Sequence, residues 1–367
     1  MFVKNKNMII KTLLPFSLLI LCNAVFSQAP KYSNEFLSIG VGARALAMSN
    51  ANVAIVGDAS SGFWNPAGLL NVKGDLQIAA MHNELFAGIA KYDYAAIAHP
   101  IDSMSAVGFS FNRFGTDNIP NTIEFVNADG NFDYDKIKSF SAVDYAFLFS
   151  YAKKSKINGL HYGVNAKVIH RIVGDFASTW GFGLDAGLRY QKGNWKFGAM
   201  GKDITSTFNA WNYTLDDRTK EVWGLTENEI PENSVEITLP KLILGSAYKY
   251  TFKDKYSVLP ELDLDMTFDK KRNVLVRSNL MSIDPHLGIE FGYDDFVFFR
   301  GGIYNIQTIK DFDGTKTTIV QPNMGVGVKL KNLTLDYALA NIGGQGGIQY
   351  SNIFSLKLDI YKKQKLQ

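Results

Sequence analysis

Apolar and polar residues alternate one by one along most of this chain, from about residue 75 to the C-terminus. In the clearest stretch, residues 181–191, glycine, Asp185 and Arg189 alternate with the apolar set Phe182, Leu184, Ala186, Leu188 and Tyr190. The same two-residue period recurs at 145–151, 160–168, 262–268, 324–330 and 354–360. Because successive side chains of a strand point to opposite faces, each segment presents one apolar and one polar face. Segments of about ten residues with this period are typical of a transmembrane β-barrel.

A soluble β-sandwich or barrel also alternates, so it is the main alternative fold. Three features favour the membrane. The apolar faces are rich in Tyr, Phe and Trp, as lipid-facing aromatic girdles are. Every long strand has the same asymmetry, and the chain begins with a segment typical of an export signal. We therefore predict an all-β fold, a transmembrane antiparallel β-barrel.

The first 27 residues have the pattern of a secretory signal peptide. Lys4, Lys6 and Lys11 precede an apolar core at 13–25, which is too short for a membrane-spanning helix, and cleavage is predicted before Gln28. The single cysteine, Cys22, lies inside this segment, and the bulky residue before it argues against a lipoprotein site. The mature chain then has no cysteine for a disulfide or a thiolate metal site.

Composition excludes several other classes of protein. No later apolar run reaches the length of a membrane helix, which excludes a helical membrane protein. The formal net charge of +3 is small and evenly spread, so we expect no nucleic-acid partner.

Fourteen strands are predicted, an even number as in bacterial outer-membrane barrels. The even-numbered connections between them are all short and the long connections are all odd-numbered, which places both termini in the periplasm and the long loops outside the cell. The stretch 270–283 is long enough to contain a further strand. The predicted strands are 75–84, 87–100, 102–115, 139–153, 159–173, 178–192, 194–204, 239–252, 256–269, 284–293, 296–306, 319–330, 332–341 and 351–361.

Residues 28–74 lack this alternation and are predicted to form a compact, partly helical plug, or hatch, ahead of the barrel at 75–367. We expect Asn65 to be extended before Pro66 and to cap a turn, and Gly68 to supply a positive φ. Arg44 and Asp58 are candidates to pair inside the plug, with Trp64 as its anchor. The interpretation that these six residues seat the plug is favoured over direct contact with a ligand.

The plug region resembles a known family of outer-membrane proteins. Residues 36–48, FLSIGVGARALAM, and 59–69, ASSGFWNPAGL, are similar to the "GARALAMG…YWNPAGL" segment of the PorV/PorQ-type proteins, which belong to the FadL-like barrel superfamily. Ser49 departs from the glycine usual in that motif. The resemblance implies a fourteen-stranded barrel with an N-terminal hatch. It also implies an accessory role in type IX secretion in Bacteroidota, in which the barrel binds the translocon or its cargo.

The sequence offers little evidence for catalysis or metal binding. The five histidines lie on different strands or strand ends without the spacing of metal ligands, and no Ser/His/acid grouping stands out. The segment 127–135 alternates oxygen ligands but lacks EF-hand positions, so an acidic external loop is favoured over a calcium site. We expect no enzyme activity, no cofactor and no metal.

Function is therefore expected at the lumen or on the loops. Inward positions predicted by parity carry both charge signs, among them Lys167, Asp185, Arg189, Glu261 and Asp263, which argues against a continuous apolar path through the centre. The aromatic residues Trp211, Tyr213 and Trp223 are placed on a long outer loop, as partner contacts or as membrane-interface anchors.

Three functions remain open. The main expectation is a non-enzymatic outer-membrane accessory of type IX secretion that binds protein partners through its loops and rim and contacts outer-membrane lipid. The alternative is FadL-like uptake of a hydrophobic small molecule, which an apolar pocket beside Phe63 and Trp64 would favour. A structural barrel that anchors a surface complex is the third.

Overall fold

The computed structural model describes residues 33–126, 131–310, 313–342 and 350–362. The predicted signal peptide, residues 28–32 of the predicted plug and residues 127–130 of the candidate calcium segment lie outside the described residues. None of the helices among the described residues is both long and apolar enough to cross a membrane.

The described chain is mostly antiparallel sheet. Three short helices accompany it: α1 (Ala43–Ala47), α2 (Ser61–Trp64) and α3 (Asp217–Leu225). Short 3₁₀ turns lie at Glu35–Ser38, Pro66–Asn71, Phe86–Gly88 and Tyr134–Lys136. The strands are β1 (Leu76–Leu85), β2 (Ala90–Pro100), β3 (Ser105–Asn121), β4 (Lys138–Lys154), β5 (Leu160–Val173), β6 (Ala177–Lys192), β7 (Trp195–Lys202), β8 (Thr207–Tyr213), β9 (Ser234–Thr238), β10 (Lys241–Tyr248), β11 (Tyr250–Phe252), β12 (Tyr256–Thr267), β13 (Val276–Arg277), β14 (Ser282–Tyr293), β15 (Val297–Lys310), β16 (Lys316–Leu330), β17 (Leu333–Asn341) and β18 (Tyr350–Ile360).

These strands build a closed transmembrane barrel of fourteen wall strands. Each strand pairs with its neighbour in the chain, and β1 pairs with β18 from Leu76↔Ile360 to Glu84↔Asn352, which closes the wall. Strands β7 and β8 are two parts of one wall strand, because both pair with β6. Strands β9, β10 and β11 form the next wall strand, and β13 is a short addition beside β14. The predicted fold class is confirmed.

Burial follows the alternation read from the sequence. On β6, Asp185 and Arg189 face the lumen and are 2% and 5% exposed, whereas Phe182, Leu184 and Leu188 on the other face are 45–50% exposed. An outer surface of large apolar side chains suits contact with lipid, because exposing it to water would cost free energy. Aromatic rings gather on it near the short turns, where Trp195 packs against Phe197 and Tyr248.

The seventh wall strand is longer than the sequence suggested, because it includes β8. The strand predicted at 194–204 is interrupted at residues 203–206, where Asp203 and Ser206 adopt positive φ values of 55° and 58°, and then continues as β8. The predicted loop 204–238 is therefore wrong in extent, since the connection is only 214–233 and contains α3.

The barrel has a short-turn end and a long-loop end. At the short-turn end the strands are joined by tight connections, such as residues 193–194 between β6 and β7. At the long-loop end lie the segments 122–126, 131–137, 214–233 and 268–281. Which end faces the cell exterior stays a prediction.

Residues 33–74 pack against the inward face of the wall. Helix α1 contacts β15 to β18, and the Pro66–Asn71 turn contacts β2 to β6, so the segment touches strands on opposite sides of the barrel. Leu46, Phe63 and Leu69 are at most 3% exposed and belong to one apolar cluster with wall residues such as Tyr92 and Ile169. We keep the name plug for this segment.

Candidate functional site

The predicted ion pair between Arg44 and Asp58 does not form. Arg44 instead makes a bidentate pair with Glu290 of β14, with nitrogen–oxygen distances of 2.8 and 3.1 Å. Asp58 accepts a hydrogen bond from Lys357 of β18 at 3.0 Å and from the backbone N–H of Ser60. Each of these two plug charges is therefore matched by an opposite charge on the wall.

The Trp64–Gly68 segment is fixed by backbone contacts. Trp64 is 4% exposed and its indole N–H donates to the Val41 carbonyl at 2.9 Å. Asn65 is extended, with φ −163°, caps the following turn by accepting from the Ala67 N–H, and donates to the Val53 and Leu188 carbonyls. The expected positive φ at Gly68 is wrong: glycine is required there because a Cβ would lie 2.6 Å from the Val56 carbonyl oxygen.

The wall in turn hydrogen-bonds the plug backbone. Arg189 of β6 donates to the Ala54 carbonyl at 2.8 Å, and Asp263 of β12 accepts from the N–H groups of Asn52 and Val53 at 2.8 and 2.9 Å. On the other side, Asn323 of β16 donates to the Leu46 carbonyl. Phe63 and Trp64 are covered by these elements and by Lys202, whose ammonium lies 4.5 Å from the Phe63 ring. They are core residues and do not line either cavity described here.

A small polar cavity lies between the plug and the wall. It has a volume of about 40 Å³ and is bordered by Arg44, Asp58 and Lys357. Such a space holds a few water molecules at most and no organic ligand. The contact between plug and wall therefore holds the plug in place through buried ion pairs and leaves no room for an organic ligand.

A much larger apolar cavity lies at the long-loop end of the barrel. We call it the mouth cavity; its volume is about 400 Å³. It is lined by the ends of β3 to β6 and β8 and by α3, through Pro120, Asn121, Thr122, Ile123, Phe140, Val173, Phe176, Ala177, Trp211, Tyr213, Leu215 and Trp223. Its size and its aromatic lining fit the usual description of a small-molecule site.

Aromatic rings shape the walls of the mouth cavity. Phe140 and Phe176 meet edge to face with ring centroids 5.2 Å apart, and the rings of Trp211 and Tyr213 stack at 6.1 Å. The indole N–H of Trp211 is buried without a hydrogen-bond partner in the described part of the chain. The lining therefore combines aromatic rings with a buried indole N–H that makes no hydrogen bond within the described residues.

The floor beneath these rings is charged. The guanidinium of Arg171 lies 5.2 Å from the Trp211 ring centroid and pairs with Asp144 at 2.7 Å and Glu236 at 3.8 Å. Ser33, the first described residue of the plug, donates to Glu236. This charged cluster, which we call the floor, thus connects Trp211 of the cavity lining to the plug.

Helix α3 covers the mouth cavity and is held by its N-cap. The backbone N–H of Thr219 donates to the carboxylate of Asp216 at 2.6 Å, and this hydrogen bond lowers the pKa of Asp216 below its usual value. Arg218 reaches Glu124 of the neighbouring loop at 3.8 Å, and Thr214 donates to the Phe176 carbonyl at 2.9 Å. These contacts fix Trp223 over the cavity.

The three aromatic residues singled out from the sequence do line one site, but two of them were misplaced. Trp211 and Tyr213 lie on β8 and face inward; the prediction that they belong to a loop is wrong. Only Trp223 belongs to the connection, within α3. The cavity residues Phe140, Val173 and Phe176 were missed, because no local pattern indicates that the ends of five strands converge there.

No group of three or more His, Cys, Asp or Glu side chains in the described ranges has the geometry to hold a metal ion.

Comparison with known proteins identifies the fold. No protein-family model and no curated sequence matches the chain. Among solved structures, the CymD monoaromatic hydrocarbon channel matches with a TM-score of 0.55 and 13% identity, covering 89% of this chain and 99% of that one. The toluene transporter TbuX of Ralstonia pickettii matches with a TM-score of 0.53 and 13% identity, covering 88% of this chain and 99% of that one. The toluene transporter TodX of P. putida matches with a TM-score of 0.55 and 12% identity, covering 88% of this chain and 99% of that one. The chain therefore has the barrel fold of these hydrocarbon channels.

Proposed function

We propose that this chain is an outer-membrane barrel that admits small hydrophobic molecules, which it first binds in the mouth cavity. The cavity, with five aromatic side chains around about 400 Å³, is the observation that carries the proposal. The shared fold with proteins described as a hydrocarbon channel and toluene transporters supports it. The long-loop end would face the cell exterior, so that ligand meets the cavity before the plug.

The charged floor and the seated plug make binding and passage separate steps. A ligand in the mouth cavity is held by ring contacts, whereas passage requires the plug to move, since the plug backbone is hydrogen-bonded to wall strands on both sides of the barrel. We propose that no chemical step occurs.

Simultaneous truncation of Trp211 and Trp223 tests this proposal. Each aromatic contact contributes about 0.5 to 1.5 kcal/mol, so Trp211→Ala/Trp223→Ala should weaken toluene binding by roughly tenfold. The measurement is equilibrium dialysis of radiolabelled toluene against the mature barrel in lipid nanodiscs, with empty nanodiscs subtracted. The matched control is Trp195→Ala, a half-exposed tryptophan on the outer surface at the short-turn end, which should leave affinity unchanged. Equal affinity in both variants would contradict the proposal.

A second candidate is the PorV-like accessory of type IX secretion. It is favoured by apolar side chains that point away from the cavity at the long-loop end, namely Leu225 of α3, which is 76% exposed, and Ile230, which is 47% exposed. A contiguous apolar patch with a polar rim is the usual mark of a protein contact, and these two side chains would contribute to one. In this function the translocon or its cargo would dock on α3 and the seated plug would never open.

A further inference from the structure

The mouth cavity is surrounded by an excess of negative charge. The described parts of the connecting segments around it, 122–126, 131–137, 174–176 and 214–233, carry ten carboxylates and three basic side chains. The next long connection around the wall has the opposite balance, since residues 268–281 contain one carboxylate and four basic side chains. The acidic charge is therefore concentrated on the side of the cavity and is not a property of the whole long-loop end.

Most of this negative charge is not neutralised locally. Arg218 pairs with Glu221 at 3.0 Å, and Lys220 pairs with Asp217 at 3.5 Å. Asp175, which precedes the lining residue Phe176, is exposed and makes no ion pair among the described residues, and the same holds for Glu227, Glu229 and Glu232. The floor adds one further negative charge, because Arg171 faces both Asp144 and Glu236.

The faces of the aromatic rings add to the negative electrostatic potential that these carboxylates create in the cavity. The faces of Trp and Tyr attract cations through the ring quadrupole, and the Arg171 guanidinium already lies over Trp211 from below. Charges of one sign around a cavity with low-dielectric walls focus their field into it. A hydrophobic anion entering here meets repulsion from both the rim and the rings, whereas a hydrophobic cation is attracted by both.

We infer that the mouth cavity discriminates among charged hydrophobic molecules, accepting organic cations such as aromatic quaternary ammonium compounds and excluding anions of the same shape. This inference rests on the proposed function, because it assumes that the cavity binds a ligand. The cavity would therefore exclude fatty carboxylates and other amphiphilic anions.

The size of the preference for a cation over an anion follows from Coulomb's law. A carboxylate about 10 Å from a bound charge changes affinity by roughly 1.5- to 2-fold at low ionic strength, and by much less at high salt. The net excess of carboxylates should then separate a cation from an isosteric anion by at least about tenfold in 10 mM salt. In 0.5 M salt the ratio should shrink several-fold, since only the ring contribution survives screening.

The test compares three radiolabelled probes by equilibrium dialysis against the barrel in zwitterionic nanodiscs. Benzyltrimethylammonium and phenylmethanesulfonate share a benzyl group and a tetrahedral head of opposite charge, and toluene is the neutral reference. We expect benzyltrimethylammonium to bind at least tenfold tighter than the sulfonate at 10 mM salt, with toluene insensitive to salt.

Charge-neutralised variants identify the source of the preference. Asp175→Asn/Glu227→Gln/Glu229→Gln/Glu232→Gln should lower the cation-to-anion ratio at least threefold while leaving toluene affinity and melting temperature unchanged. The control Asp254→Asn/Asp294→Asn lies in exposed turns at the short-turn end and should leave the ratio as it is.

The outcomes separate the two proposals. Equal binding of cation and anion, or a ratio that the rim variant does not change, overturns the inference, and the proposed function stands if toluene still binds. Failure of all three probes to bind overturns both.

Discussion

Replacement of Gly302 by valine is expected to force the plug from its seat and turn the barrel into an open pore. Gly302 faces inward on β15, and a Cβ there would lie 2.6 Å from the Met48 carbonyl carbon and 2.8 Å from its oxygen. These are backbone atoms of the plug, so no side-chain rotation relieves the clash. Overpacking of this kind costs about 3 kcal/mol or more, and displacement of the plug is the available relief.

The neighbouring glycine provides the control. Gly301 faces outward, and the nearest atom to a Cβ built there is the Asn323 carbonyl oxygen at 3.8 Å. In planar bilayers, single barrels with Gly302→Val should show a steady ion conductance, whereas the wild type and Gly301→Val should stay closed. A closed Gly302→Val barrel that is as stable as the wild type would refute the close packing of plug and wall.

Replacement of Arg300 by methionine is expected to cause the largest loss of stability among the charged positions. The Arg300 side chain is 2% exposed and bridges Glu290 at 2.7 Å and Asp336 at 2.6 Å, and Glu290 also holds Arg44 of the plug. Removing the guanidinium leaves the buried Asp336 carboxylate without its direct ion-pair partner. Breaking a buried pair in this way costs about 3 to 5 kcal/mol.

The measurement is the free energy of unfolding in urea from lipid vesicles. Lys329→Met is the matched control, because its partner Asp295 is 63% exposed at the side chain and exposed pairs contribute about 0 to 1 kcal/mol. Arg300→Met/Asp336→Asn should recover part of the loss, since it removes the stranded charge. If Arg300→Met and Lys329→Met lose the same free energy, the buried network does not hold the plug.

The strands of the wall were predictable from the sequence because each is determined by the local alternation of apolar and polar residues. A two-residue period alone decides which side chains meet lipid, and it located all fourteen wall strands. The exceptions include β8 and β9, which the sequence placed in a loop; positive φ values at Asp203 and Ser206 interrupt the period before β8. The continuing alternation of inward Thr207 and Asn209 with outward Phe208 was the signal that could have extended the strand.

The contacts of the plug were not predictable in the same way. Asn65 capped its turn as expected, because an Asn-Pro step constrains its own neighbours. The partners of Arg44 and Asp58 lie more than two hundred residues away, on β14 and β18, and depend on how the barrel closes. The mouth cavity has the same origin, since it exists only where the ends of five wall strands converge under α3.

The central claim is that the barrel binds a small hydrophobic molecule and not a large protein at its long-loop end. Native mass spectrometry of the mature barrel, released from its own outer membrane in mild detergent, tests this most directly. We predict the mass of the chain plus a small organic ligand, which is lost in Trp211→Ala/Trp223→Ala. A barrel without small ligand, in a stable complex with a large envelope protein that survives this double substitution, would contradict the account and favour the secretion accessory.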